Sequence, residues 1–132
     1  MDYEKIKKEF IVNSKEYSKE KLSELMGKLV NFAKVGDKGE VVVLKKIPTR
    51  KILKLIISAK FIAHEVENSI PADVSKKELE TYSRLKKAVF TARFNEMLRE
   101  GFASEEGDSF KARNILLVER FLNELEKGKK NG

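Results

Sequence analysis

The stretch with the clearest chemical bias runs from Val41 to His64, VVVLKKIPTRKILKLIISAKFIAH, and holds six basic residues and no acidic one. Lysine and arginine at this density suit one task above others, the neutralisation of phosphate or carboxylate oxygens. Residues 1–39 carry 9 basic and 7 acidic side chains, 40–64 carry 6 and 1, 65–100 carry 7 and 7, and 101–132 carry 6 and 6. Five of the seven excess positive charges therefore fall within 25 residues. Soluble surfaces ordinarily mix both signs, so a one-sign segment beside an apolar one marks a place that meets an anion. Lys45, Lys46, Arg50, Lys51, Lys54 and Lys60 are the candidate nucleic-acid contacts, because a basic turn leading into a helix start offers side-chain charge together with amide donors. The competing reading is a lysine-rich surface that only keeps the chain soluble. Lysines supply point charges more than base-edge forks, so a nucleic-acid site built from them is weak, salt-sensitive and indifferent to sequence.

The remaining reactive residue types form no catalytic pattern. His64 is the single histidine, lies beside the arc Leu53, Ile57 and Phe61, and reads as a packing or surface residue. Glu65/Glu67 and Glu105/Glu106/Asp108 lack the spacing of a calcium loop and read as solvated loop acids. Gly36-Asp37-Lys38-Gly39 is not a phosphate loop, since the GxxxxGK pattern and its following helix are missing. No Ser/His/Asp constellation can be assembled, and cysteine is absent, which removes disulfides and thiolate chemistry. The expectation is a protein that is not an enzyme and uses no metal, cofactor or small-molecule substrate.

The elements that must position the basic segment can be read from periodicity. Tyr3, Ile6 and Phe10 have helical spacing. A second helix is expected from about Lys19 to Ala33, with the stripe Leu22, Leu25, Met26, Leu29 and Ala33 and Ser18 as its N-cap. Gly36 to Gly39 is a turn signal, and Val41 to Leu44 is β-branched and too short for a helix. It reads as a short strand or extended connector, or as half of a hairpin with Val30 to Val35. Pro48 sets an entry turn and Thr49 caps a helix from Arg50 to about Asn68. That helix has two apolar arcs, Ile52, Leu55, Ile56, Ala59, Ile62, Ala63 and Val66 on one side and Leu53, Ile57 and Phe61 on another, which places it at the centre of its domain or against a partner.

Ile70 to Asp73 breaks this helix, and Ser75-Lys76-Lys77-Glu78 is a capping box for a further helix running to about Arg99, before Gly101. This one also has two arcs: Tyr82, Leu85, Ala88, Val89 and Ala92, and then Leu79, Phe90, Phe94, Met97 and Leu98. Phe90, Phe94, Met97 and Leu98 stand equally as a partner-binding stripe, since aromatic residues and methionine favour interface cores, or as internal core. Two long helices with two arcs each point to oligomerisation. Ala103 to Asp108 reads as a polar loop, and a last helix carries Ile115, Leu117, Val118, Phe121, Leu122 and Leu125.

The fold class that follows is mainly α, a bundle of four or five helices with one short extended segment or hairpin. Residues 1–127 form a single helical domain and 128–132 a disordered tail. A chain of 132 residues, 41% hydrophobic and 37% charged, is one globular domain. It has no 18-residue apolar run and no signal-peptide layout, so a cytoplasmic protein without a membrane segment is expected. Glutamine is absent and 22 lysines outnumber 6 arginines, a usage resembling that of hyperthermophiles.

From Thr49 to Leu98 the order of features resembles the helical domain of GINS subunits, the scaffold of the archaeal and eukaryotic replicative helicase. The likeness rests on the basic helix start TRKILKLI, the close NSIPADVSKKELETY and the second helix SRLKKAVFTARFNEML. It implies a non-catalytic member of a hetero-oligomer that bridges a helicase motor and a RecJ-like partner. Subunits of this helix-first arrangement usually add a small β-rich domain after the helices. The expected function is a non-enzymatic subunit of a nucleic-acid-processing assembly, with a DNA replication scaffold as the leading case. The alternative is a small basic helical DNA- or RNA-binding module acting alone or as a homodimer, such as a small subunit of a guide-RNA complex. A purely structural interaction protein is the third reading.

Overall fold

The computed structural model of the chain describes residues 2–10 and 18–131, and the element order among them is α1 (Tyr3–Phe10), α2 (Lys19–Leu29), β1 (Ala33–Val35), β2 (Val41–Val43), α3 (Thr49–Val66), β3 (Val74–Ser75), α4 (Lys76–Ser83), α5 (Lys87–Glu100), β4 (Ala103–Glu106), β5 (Ser109–Ala112) and α6 (Ile115–Asn131). Among the described residues this is six helices with two small antiparallel sheets, an α+β arrangement that replaces the expected helical bundle. One sheet is the hairpin β1-β2 and the other has the order β3-β5-β4.

Local signals account for most element ends. Ser18 caps α2, its hydroxyl accepting from the Lys21 amide at 3.0 Å. The capping box at α4 forms as its spacing dictates: the Ser75 hydroxyl accepts from the Glu78 amide, and the Glu78 carboxylate accepts from the Ser75 amide, each at 3.0 Å. The Ser75 amide bond is the main reason the Glu78 carboxyl sits below its ordinary range. Of the two readings of residues 30–44, the hairpin is the one that forms, pairing Ala33 with Val43 and Val35 with Val41 across the Gly36 to Gly39 turn. α2 accordingly stops at Leu29, four residues short of the expected Ala33, which belongs to β1.

Two further expectations fail for physical reasons. The long helix from Ser75 to Arg99 is broken into α4 and α5. The Ser83 hydroxyl donates to the Glu80 carbonyl at 2.9 Å and accepts from the Leu85 amide at 3.3 Å, which diverts the backbone from the helical ladder. Arg84 then adopts a left-handed conformation, φ 57° and ψ 20°. The expected arc is consequently split: Ala88 and Ala92 are exposed, while Tyr82, Leu85 and Val89 are half-buried. The polar loop from Ala103 to Asp108 is instead strand β4 and the two-residue turn of the β4-β5 hairpin, with Gly107 at positive φ between the paired Glu106 and Ser109. α6 starts where Asn114 Oδ1 accepts from the Leu117 amide, and it spans Ile115–Asn131.

α3 is the hub. Every residue from Leu55 to Ile62 is buried, and the helix packs against α2, α4, α5, α6 and both sheets. Burial of each such Leu, Ile or Phe side chain contributes about 1.5–3 kcal/mol relative to exposure. Except at the C-terminal Val66, which is exposed, both of its apolar arcs are covered along their length by the same chain. The same holds for α5: Phe90, Phe94 and Met97 are 1%, 4% and 2% exposed, so the candidate partner-binding stripe is internal core. The Phe94 ring meets Phe110 of β5 edge-on at 5.0 Å and Phe90 at 5.5 Å, while Leu98 is half-buried against the same cluster. The β4-β5 hairpin, unread in the sequence, supplies the cover that a partner was invoked to provide.

Candidate nucleic-acid interface

The basic segment enters the structure as the connector Leu44 to Pro48 between β2 and α3. Pro48 occupies the N-cap of α3 at φ −54° and ψ 140° and brings no side chain that can cap the first amides. Thr49, expected to cap the helix, lies in its first turn, and its hydroxyl accepts from Arg93 Nε at 3.0 Å. Arg93 also donates to Glu96 at 2.8 Å, so α5 clamps the start of α3 in place. The first turn of α3 contains no acidic residue. A helix N-terminus concentrates positive potential, and with no carboxylate there to offset it, that potential adds to the lysines around it.

The six predicted contacts divide into three groups. Lys45, Lys46, Arg50 and Lys51 gather around the connector and the first turn of α3. Lys45, Lys46 and Arg50 are exposed, and Lys45 Nζ stands 5.2 Å from the centre of the Phe32 ring. Among the described residues, Lys46, Arg50 and Lys51 have no carboxylate within ion-pair distance, whereas Lys21, Lys28, Lys54, Arg93 and Lys111 are each paired. Lys54 makes its ion pair with Glu100 of α5 and lies 5.8 Å from the centre of the Phe102 ring, so its charge is spent on packing α3 against α5 and β4.

Lys60 does not belong to the surface at all. It is 1% exposed, and its Nζ donates to the Gly39 carbonyl at 3.0 Å. At about 100° per residue Lys60 lies roughly 180° around α3 from Lys51, which turns it inward against the β1-β2 turn. Burial pushes its pKa below 10.5, although Glu78, Asp73 and Glu40 favour the charged form. Gly39 makes this contact possible: its φ is +92°, and a Cβ there would stand 2.7 Å from Lys60 Nζ.

The structure also brings in a region that the sequence reading left out. A cavity of about 240 Å³ is lined by Phe32, Lys45, Lys46, Lys51, Leu125 and Gly128 among others, so the end of α6 adjoins the basic segment. Lys127 is exposed in that last stretch. The available signal was Lys127, just before the expected tail of residues 128–132.

The other candidates take structural places. His64 Nδ1 lies 2.7 Å from the Ile70 carbonyl, so this nitrogen carries the proton and donates, holding the α3 exit turn. Glu106 pairs with Lys111 across the β4-β5 hairpin at 3.1 Å. Among the described residues no group of three His, Asp or Glu side chains is arranged to hold a metal ion, and no helix is long and apolar enough to cross a membrane. Comparison with family models, with curated proteins and with solved structures finds no match to this chain.

Proposed function

We propose that this protein is a non-enzymatic nucleic-acid-binding module that grips the phosphate backbone at the entrance to α3, as a component of a nucleic-acid-processing assembly. The observation that carries the reading is the charge arrangement. Lys45, Lys46, Arg50 and Lys51 surround a helix start with no acid in its first turn, within a stretch, residues 41–64, that holds six basic residues and no acidic one. A merely solubilising surface has no reason to gather charge of one sign around a helix entrance.

Of the two forms of this reading, the small basic module acting alone or as a homodimer is favoured over a replication scaffold. The scaffold form leaned on two long helices with uncovered apolar sides. The second of these is interrupted at Arg84, and its large apolar residues Phe90, Phe94 and Met97 are buried within the chain. The test is fluorescence anisotropy with labelled oligonucleotides at low salt, comparing the wild type with Lys46→Glu/Arg50→Glu/Lys51→Glu. These side chains make no ion pair among the described residues, so the circular dichroism of the triple variant is expected to match the wild type while affinity falls at least 100-fold. Unchanged affinity refutes the proposal.

A further inference from the structure

The connector that carries Lys45 and Lys46 also forms one wall of a cavity of about 600 Å³, whose facing wall is the last turn of α4, Thr81 to Arg84. Val41, Val43, Ile47 and Ile52 make part of its lining apolar, and the half-buried Tyr82 adds an aromatic ring. Its charged lining residues are Lys45, Lys46 and Arg84, with no carboxylate among them. The cavity runs along the outer edge of β2. Within the hairpin the Leu44 amide donates to the Phe32 carbonyl at 2.7 Å, and the Glu40 carbonyl accepts from the Gly36 amide at 2.8 Å. By strand alternation the backbone groups of Val41 and Val43 point the other way, along the side of β2 that has no neighbouring strand.

Arg84 adds an independent observation. α4 and α5 both end on a residue in the left-handed conformation, φ 57° at Arg84 and φ 75° at Gly101. Glycine takes this conformation without strain, and arginine does not. The chain thus uses the unstrained residue where only the backbone matters and keeps a strained, exposed arginine at the mouth of the cavity. Strain retained beside a cleft is a mark of function.

Resting on the reading of the basic segment as a phosphate site, we infer that the cavity between β2 and the end of α4 receives an unstacked nucleobase of a single-stranded nucleic acid, with its flanking phosphates on Lys45, Lys46 and Arg84. Apolar walls and an aromatic side chain suit the faces of a base, strand-edge amides and carbonyls suit its hydrogen-bonding edge, and cations at the mouth suit the backbone on either side. A duplex keeps its bases stacked and paired and cannot deliver one into the cavity without breaking them out. An acidic peptide added alongside β2 is the other ligand an open strand edge admits, but β2 is three residues long and offers too short a ladder.

The experiment is anisotropy at low salt with three labelled probes: a pyrimidine single strand of about twelve nucleotides, the same backbone made abasic, and the matched duplex. The intact strand is expected to bind at least tenfold more tightly than the abasic one. Tyr82→Leu is expected to remove most of that preference and Tyr82→Phe to keep it. Arg84→Gly is expected to weaken single-strand binding about fivefold while raising the melting temperature by about 3 °C, because strain is released as a contact is lost. A purely structural Arg84 moves stability without affinity, and that result overturns the assignment. Equal, salt-dependent binding of all three probes overturns the cavity site and leaves the phosphate reading standing. Absence of binding to any probe removes both.

Discussion

Salt dependence gives the sharpest check on which lysines face the ligand. Each phosphate contact on duplex DNA contributes about −0.9 to the slope of log affinity against log salt. With four contacts, from Lys45, Lys46, Arg50 and Lys51, the slope is about −3.6, and raising salt from about 50 to about 200 mM weakens binding roughly 150-fold. All six residues singled out in the sequence would give a slope of about −5.4 and a loss of roughly 1,800-fold over the same range. The structure chooses the smaller figure, because Lys54 is paired with Glu100 and Lys60 is enclosed against Gly39. The variant Lys46→Ala/Arg50→Ala is expected to reduce the slope to about −1.8, while Lys54→Ala leaves it near −3.6. The measurement is a titration of a labelled duplex at five salt concentrations, using the wild type and both variants. An unchanged slope in Lys46→Ala/Arg50→Ala, or a fall of a full unit in Lys54→Ala, refutes the assignment of contacts.

Two predictions concern the interior. Phe94→Ala removes a ring packed against Phe90 and Phe110 and is expected to cost about 3–5 kcal/mol in urea unfolding; wild-type stability in this variant would restore the partner-binding stripe. Lys60 gives a pH signature whose sign follows from its lowered pKa. Below the folded-state pKa both folded and unfolded chains hold the proton, and the folded protein bears the full cost of a buried charge. Between that value and 10.5 the unfolded chain binds more protons, so stability rises with pH. The difference in unfolding free energy between the wild type and Lys60→Met is therefore expected to grow in favour of the wild type as pH rises through this window. A difference independent of pH from 7 to 10.5 rejects a depressed Lys60.

Much of the fold was legible where a single residue acts on its own backbone. Ser18, Ser75 with Glu78, and the Pro48 turn each start a helix through bonds or constraints within a few positions, and each is readable as spacing. The two apolar arcs of α3 read as the centre of its domain or a face against a partner, and the burial of Leu55 to Ile62 within the chain agrees with the first. What spacing could not reveal was who covers an arc. Phe90, Phe94 and Met97 carry the same pattern whether they meet another chain or β5 of their own, and β5 was hidden because Ser109 to Ala112 has little β-branched character. The Gly107-Asp108 pair was the overlooked hairpin signal. Ser83 ended α4 by accepting from the Leu85 amide, a bond that a serine inside a helix does not make, so the break at Arg84 was not visible either.

For the candidate site, the amino-acid sequence by itself determined that positive charge concentrates between residues 40 and 64 and that it surrounds a helix start, since both follow from composition and from Pro48. Tertiary structure decided which of those charges face solvent. Lys54 and Lys60 are chemically like Lys46 and Lys51, and only the packing of α5 and of the β1-β2 turn against α3 turns one into an ion pair and the other into a buried strut. It also decided that α6 and the end of α4, distant along the chain, border the same connector. Charge is a property of each side chain, but exposure belongs to the contacts between elements, and those form only when the chain has folded.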